Sequence, residues 1–170
     1  MKKILVLLVL CCFCACSAGP TPEKVLDTCR TKLAEGCTFD LQFSTGQEAT
    51  LRWSAEEQEL CFTAPDAVEG LCYLRDGGGL TVTFEGISSK ISEAALPQGA
   101  AVAEIFEALD TILISDSEAL DCDTETDGLL RVSTRNSQRM QSVWVDVESC
   151  LPIAVETEHW AVALALHNAL

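Results

Sequence analysis

The stretch GLCYLRDGGGLTVTF, residues 70–84, decides the fold class. Leu71 and Tyr73 alternate on one face, and Leu80, Val82 and Phe84 continue the alternation. Between them Asp76-Gly77-Gly78-Gly79 is a turn sequence, because glycine adopts the positive φ values that a tight hairpin needs. A period of two around a glycine turn predicts an antiparallel hairpin. The same period runs upstream, where residues 38–44 place Phe39, Leu41 and Phe43 on one face. Residues 50–54 then carry Leu51 and Trp53, and 59–63 carry Leu60 and Phe62, so five strands follow one another as a meander.

Helical spacing flanks this block. Thr21 and Pro22 form an N-cap and first-turn pair, Val25, Leu26, Cys29 and Leu33 recur at helical spacing, and Gly36 is placed to end a helix over 22–35. Downstream, Pro97, Gln98 and Gly99 open a second helix in which Val102, Ile105, Phe106, Leu109, Ile112 and Leu113 make one stripe. Its other face shows Ala101, Glu104, Ala108 and Asp110, and the stripe is expected to pack on the sheet. After an acidic stretch, strands return over 129–134, 138–147, 151–157 and 160–167. The last places Trp160, Val162, Leu164 and Leu166 opposite Ala161, Ala163, Ala165 and His167. Helix, five strands, helix, four strands is an α+β order, a curved antiparallel sheet with helices gathered on one side.

The chain has 170 residues, the size of one domain. Lys and Arg number 11 against 26 Asp and Glu, a formal charge of −15 that repels phosphate backbones and excludes nucleic acid as a partner. The opening MKKILVLLVLCCFCACSAGP reads as a targeting segment. Lys2 and Lys3 are its positive region, and the apolar run from Ile4 to Ala15 suits a signal peptide but is too short to span a bilayer. Phe13-Cys14-Ala15-Cys16 resembles a bacterial lipobox, with Phe13 where the motif usually has Leu. That resemblance implies a signal peptide over 1–15, a lipid on Cys16 as the covalent anchor, a short tether over 16–21 and one domain over 22–170. Ordinary secretory cleavage after Ala18, with Cys16 and Ala18 as the small residues, is the alternative. Both export the chain to the extracytoplasmic side, and the first holds it at the cell membrane. Cleavage before Cys16 also removes Lys2 and Lys3, taking the formal charge from −15 to −17.

Residues 38–168 resemble membrane-anchored lipoproteins of clostridia and their relatives with a LolA-like fold, akin to lipoprotein carriers and to germination lipoproteins. The matching stretches are Phe62-Thr63-Ala64-Pro65 with Gly70-Leu71, Asp76 to Val82, Gly86-Ile87, Leu96-Pro97, and Phe106-Glu107-Ala108-Leu109. Asp146, Leu151-Pro152 and the closing strand complete them. The resemblance implies an incomplete β-barrel whose concave face is covered by helices, and a role in holding lipid or acylated protein, or in docking a partner protein. Where these proteins tend to have Glu-Thr-Gly-Leu-Pro, this chain has Glu148-Ser149-Cys150-Leu151-Pro152, so a cysteine stands in a turn glycine's place.

Six of the ten cysteines lie in the domain. None pairs at C-x-x-C spacing, which disfavours a zinc ribbon or a thioredoxin-type site. Export permits disulfides. A hairpin centred near Asp66 and Ala67 sets Cys61 opposite Cys72, the first candidate bridge. Cys29 with Cys37 across the first helix end, and Cys122 with Cys150 by elimination, are the others. The alternative leaves them as thiols that pack as small apolar side chains.

Asp121-Cys122-Asp123-Thr124-Glu125-Thr126-Asp127-Gly128 imitates the start of a calcium loop from Asp123, but Thr134 holds the place of the bidentate Glu and a strand follows, so no metal is expected. His159 and His167 are the only histidines, expected at the surface beside the last strand. Nucleophile elbows, HExxH and phosphate loops are missing, so no catalytic residue, enzyme activity or cofactor is expected beyond the lipid on Cys16. Two functions fit an exported half-barrel of this kind. The expected one is an anchored adaptor for another envelope protein, since a small tethered protein cannot ferry cargo far, and the alternative is a carrier or chaperone for a lipid or lipidated protein.

Overall fold

Residues 19–77, 79–92, 95–97, 100–125, 127–134 and 141–167 are described by a computed structural model. Helix α1 spans Pro22–Glu35, with the Thr21 hydroxyl accepting from the Lys24 amide and Gly36 ending it at a φ of 112°. It buries Val25, Leu26, Cys29 and Leu33, the stripe its sequence lays out. Six strands follow: β1 Cys37–Phe43, β2 Glu48–Trp53, β3 Gln58–Ala64, β4 Cys72–Asp76, β5 Gly79–Phe84 and β6 Ile87–Ile91. Helix α2, Ala101–Ile114, leads through a short 3-10 turn, Ser117–Ala119, into β7 Leu120–Thr124. The chain closes with β8 Leu129–Thr134, β9 Ser142–Asp146, β10 Leu151–Glu156 and β11 Ala161–Leu166.

All eleven strands form one antiparallel sheet in the order β6-β5-β4-β3-β2-β1-β11-β10-β9-β8-β7. Each half is a meander, and the halves meet where β1 pairs with β11, Leu41 opposite Leu164. Strands β6 and β7 do not pair with each other, so the barrel is incomplete. Inward residues of both halves, among them Phe39, Leu51, Leu60, Val132, Val145 and Val162, share one core with the buried faces of α1 and α2. Both helices therefore cover the same face of the sheet, as the α+β order implies.

Several details depart from the sequence reading. Strands β6 and β7 extend the two ends of the sheet beyond the nine strands expected. Asp121 to Thr124, read as part of an acidic turn, pairs with β8 in extended backbone. An edge strand needs only one paired side and little burial, so its sequence escapes the alternation that marks central strands. Helix α2 begins at Ala101 and is enclosed on more than one side: Glu104 and Ala108, placed on its outer face by the helical period, are buried. Leu166 sits at the inward parity of the last strand yet is about half exposed, because β11 ends there. The expected strand over 138–147 is observed as Ser142–Asp146, and 138–140 lie outside the described residues.

The helices are locked to each other by Arg30. Its Nε donates to Ile112 O at 2.7 Å and its Nη2 to Ser115 O at 2.6 Å. Helix α2 has no basic residue in its own last turn, so a guanidinium from α1 satisfies carbonyls that the helix end leaves open.

Candidate functional site

Most of the barrel interior is filled. Trp53 from β2 meets the Phe106 ring edge-on at 5.8 Å between centroids, and both are buried. The Arg75 guanidinium lies 4.7 Å from the Phe106 ring and 5.5 Å from the Trp53 ring. It donates two bonds to the Asp110 carboxylate, at 2.7 and 2.8 Å, and a third to Gln58 Oε1 at 2.9 Å. A cation among aromatic rings is stable here because its charge is matched by a bidentate carboxylate from α2. Beside this cluster a cavity of about 430 Å³ runs along α2, and Arg75, Asp110 and Glu107 give it charged walls.

The other end of the interior is hollow. A cavity of about 250 Å³ lies between the sheet and the segment entering α2, walled by Phe43 of β1, Phe62 of β3, Tyr73 of β4, Trp160 ahead of β11, and Leu96 and Val102 on the helix side. Phe43 stacks on Phe62 at 5.7 Å and takes Trp160 edge-on at 5.8 Å, so three rings form one continuous apolar wall. Burial pushes the Tyr73 hydroxyl above its ordinary value, which keeps it neutral in the wall.

Trp160 is held by a polar network on its outer side. Its amide donates to Thr157 Oγ1 at 3.0 Å, and the Thr157 hydroxyl donates to Glu104 Oε2 in a short contact. The second Glu104 oxygen, Oε1, lies 2.7 Å from His159 Nδ1. Glu104 thus reaches from α2 to the β10–β11 turn and fixes the segment that supplies the third ring. The sequence carried one clue to this network that a face assignment missed. In helix α2 the acids Glu107 and Asp110 fall on the more open side, whereas Glu104 falls between the buried Val102, Ile105 and Ala108 and so needs partners there.

A larger concavity, about 1,010 Å³, opens between the end of α1, β2 and the end of β11. It is wide open and carries Lys32, Arg52, Glu56 and Glu57 on its walls, so water and counter-ions compete for everything it offers. The smaller, less open and ring-lined cavity is the better candidate site for an apolar ligand.

Cys16, the lipidation residue, lies outside the described residues, as does the rest of the targeting segment up to Ala18. Cys61 faces Cys72 across β3 and β4, and the two are joined, with their Cα atoms 4.1 Å apart. Cys29, Cys37, Cys122 and Cys150 are free thiols. The pairings Cys29–Cys37 and Cys122–Cys150 are therefore absent. Cys29 points from the buried stripe of α1 into the core, while Cys37 turns its thiol back to Lys32 O at 3.3 Å. Cys122 sits on edge strand β7 and Cys150 in the β9–β10 turn, separated by β8 and β9. Asp121 and Asp123 lie on one side of β7, and no group of three or more His, Cys, Asp or Glu able to hold a metal gathers among the described residues. His167 Nδ1 lies 3.1 Å from both Asp40 carboxylate oxygens on the exposed side of β1. The two histidines are not brought together.

No family model matches the chain, and no curated protein matches it. Solved structures similar to it include an uncharacterized conserved protein from Thermus thermophilus, 11% identical over 87% of this chain and 88% of that one, with a TM-score of 0.49. A LolA superfamily protein from Nitrosomonas europaea is 10% identical over 88% of this chain and 93% of that one, with a TM-score of 0.43. Neither similarity says what occupies the cavity of this chain.

Proposed function

We propose that this chain is an exported, non-enzymatic envelope lipoprotein, anchored through a lipid on Cys16 at the extracytoplasmic face of the cell membrane, that holds the end of an acyl chain in its half-barrel. The observation that carries this reading is the ring-lined cavity between Phe43, Phe62 and Trp160. Its volume, about 250 Å³, is just under the roughly 300–1,000 Å³ of pockets that take drug-sized ligands. It suits one chain end, from a lipid or a lipidated protein, rather than a headgroup. Each methylene moved from water into it contributes about 0.8 kcal/mol, so a short insertion suffices for reversible binding.

Native mass spectrometry of the delipidated domain, purified after exposure to membranes, tests this. Co-purifying lipid is expected in the unaltered protein and is expected to be lost from Val102→Trp, which fills the space from the helix side. A domain that stays empty throughout overturns the cavity reading. A second reading, an adaptor for another envelope protein, is favoured by β6, an unpaired edge whose Ile87 is 75% exposed. Such an edge can accept a partner's strand through main-chain bonds. Consistent emptiness of the cavity favours that surface instead.

A further inference from the structure

Three of the four free thiols gather around the C-terminal half of α1. Cys29 is fully enclosed on the helix's inner stripe. Lys32, one turn further on, extends its ammonium to Ser149 O at 2.7 Å and so grips the β9–β10 turn at the residue before Cys150. Cys150 has a φ of 51°, its amide donates to Asp146 O at 2.7 Å, and its side chain packs on the same core as Cys29. A left-handed backbone is one that glycine adopts freely and cysteine adopts under strain, so the thiol stands where the backbone alone disfavours it. Cys37, past the end of the helix, turns its thiol to Lys32 O at 3.3 Å, and the Cys150 thiol donates to Val147 O at 3.5 Å within its own turn. Cys122 lies apart, on edge strand β7, with β8 between it and β9.

We propose that Cys29 and Cys150 are a second disulfide site, which closes when the chain meets a disulfide oxidant and clips α1 to the β9–β10 turn. Cys150 is less enclosed than Cys29 and reacts first. Its thiolate attacks one sulfur of the oxidant, the oxidant's S–S bond breaks, and the other half leaves as a thiolate. The Cys29 thiol then passes its proton to solvent and attacks Cys150 Sγ, displacing the remaining half. Two protein thiols become one disulfide, and the oxidant's disulfide becomes two thiols. Burial pushes the Cys29 thiol up to about 12, so the second step is the slow one and the mixed disulfide on Cys150 accumulates ahead of it.

The test is a non-reducing peptide map of the full chain after incubation with oxidised glutathione, followed by unfolding and alkylation. The peptide bearing Cys29 is expected to be linked to the one bearing Cys150, with Cys37 and Cys122 alkylated. The Cys37→Ser, Cys122→Ser double variant is expected to keep the link, and Cys29→Ser to stop at a glutathione adduct on Cys150. A Cys29–Cys37 link, a Cys122–Cys150 link, or alkylation of both Cys29 and Cys150 in the oxidised protein overturns the proposal. Should Cys29→Ser fail to fold, the unaltered chain and the double variant decide it without that variant.

Discussion

Buried acids that must stay neutral set how single residues respond to pH. Burial raises the thiols of Cys29, Cys37 and Cys122 and the hydroxyl of Tyr73 above their ordinary values, for Cys29 from 9.0 to about 12. The folded chain therefore keeps these protons at a pH where the unfolded chain has released them. Above about pH 9 the unfolded state binds fewer protons than the native one, so stability falls as pH rises from 9 towards 12. The loss from Cys29 midway through that window is on the order of 2 kcal/mol. Urea unfolding of the reduced protein below and above pH 9 measures it, and Cys29→Ala is expected to flatten the decline. Equal slopes in the two proteins would show that Cys29 does not carry it. Asp146 shifts the other way. The Ser149 side chain, and then the Ser149 amide that donates to Asp146 Oδ1 at 2.7 Å, hold the carboxyl below its ordinary value, so the turn keeps its contribution down to acid pH.

At the scale of elements, α1 was legible from its cap, proline and glycine because those residues act locally. The β3–β4 register was legible too, since a hairpin's two strands are tied by the short turn between them. Strand β6 was not, because Glu85 and Gly86 make its two-residue turn at φ values of 49° and 79°, and glutamate is an unusual residue for a left-handed position. The cavity and the ion pair were beyond the sequence for a different reason. Both depend on where α2 crosses the sheet, and nothing local encodes that Asp110 meets Arg75. That pair ties α2 to β4 in partly buried surroundings. Asp110→Ala leaves the guanidinium between Trp53 and Phe106 with Gln58 as its acceptor, and is expected to cost about 2 kcal/mol in urea unfolding. Arg75→Met combined with Asp110→Ala is expected to cost less than Asp110→Ala alone, because the uncompensated charge is then gone. A double variant less stable than the single one would mean that the arginine's stacking on the rings outweighs its need for a carboxylate.

For the whole molecule, the β1–β11 ladder is the connection that makes two meanders one sheet. Every other strand pair joins neighbours in sequence, whereas Leu41 and Leu164 come from opposite ends of the domain. Closing that ladder carries the largest loop entropy in the fold, and the core that both meanders share with the two helices helps repay it. Arg30 contributes to the same repayment, since it binds α1, ahead of the first meander, to α2, ahead of the second. The consequence is cooperative unfolding. Leu164→Ala opens space beside the seam and is expected to destabilise by about 3 kcal/mol. If the sheet is one cooperative unit, native-state hydrogen exchange in this variant shows slow amides of β3 and of β9 losing protection by the same amount. Protection lost in β9 alone, with β3 unchanged, would instead show the first meander holding together with α1 as a separate unit.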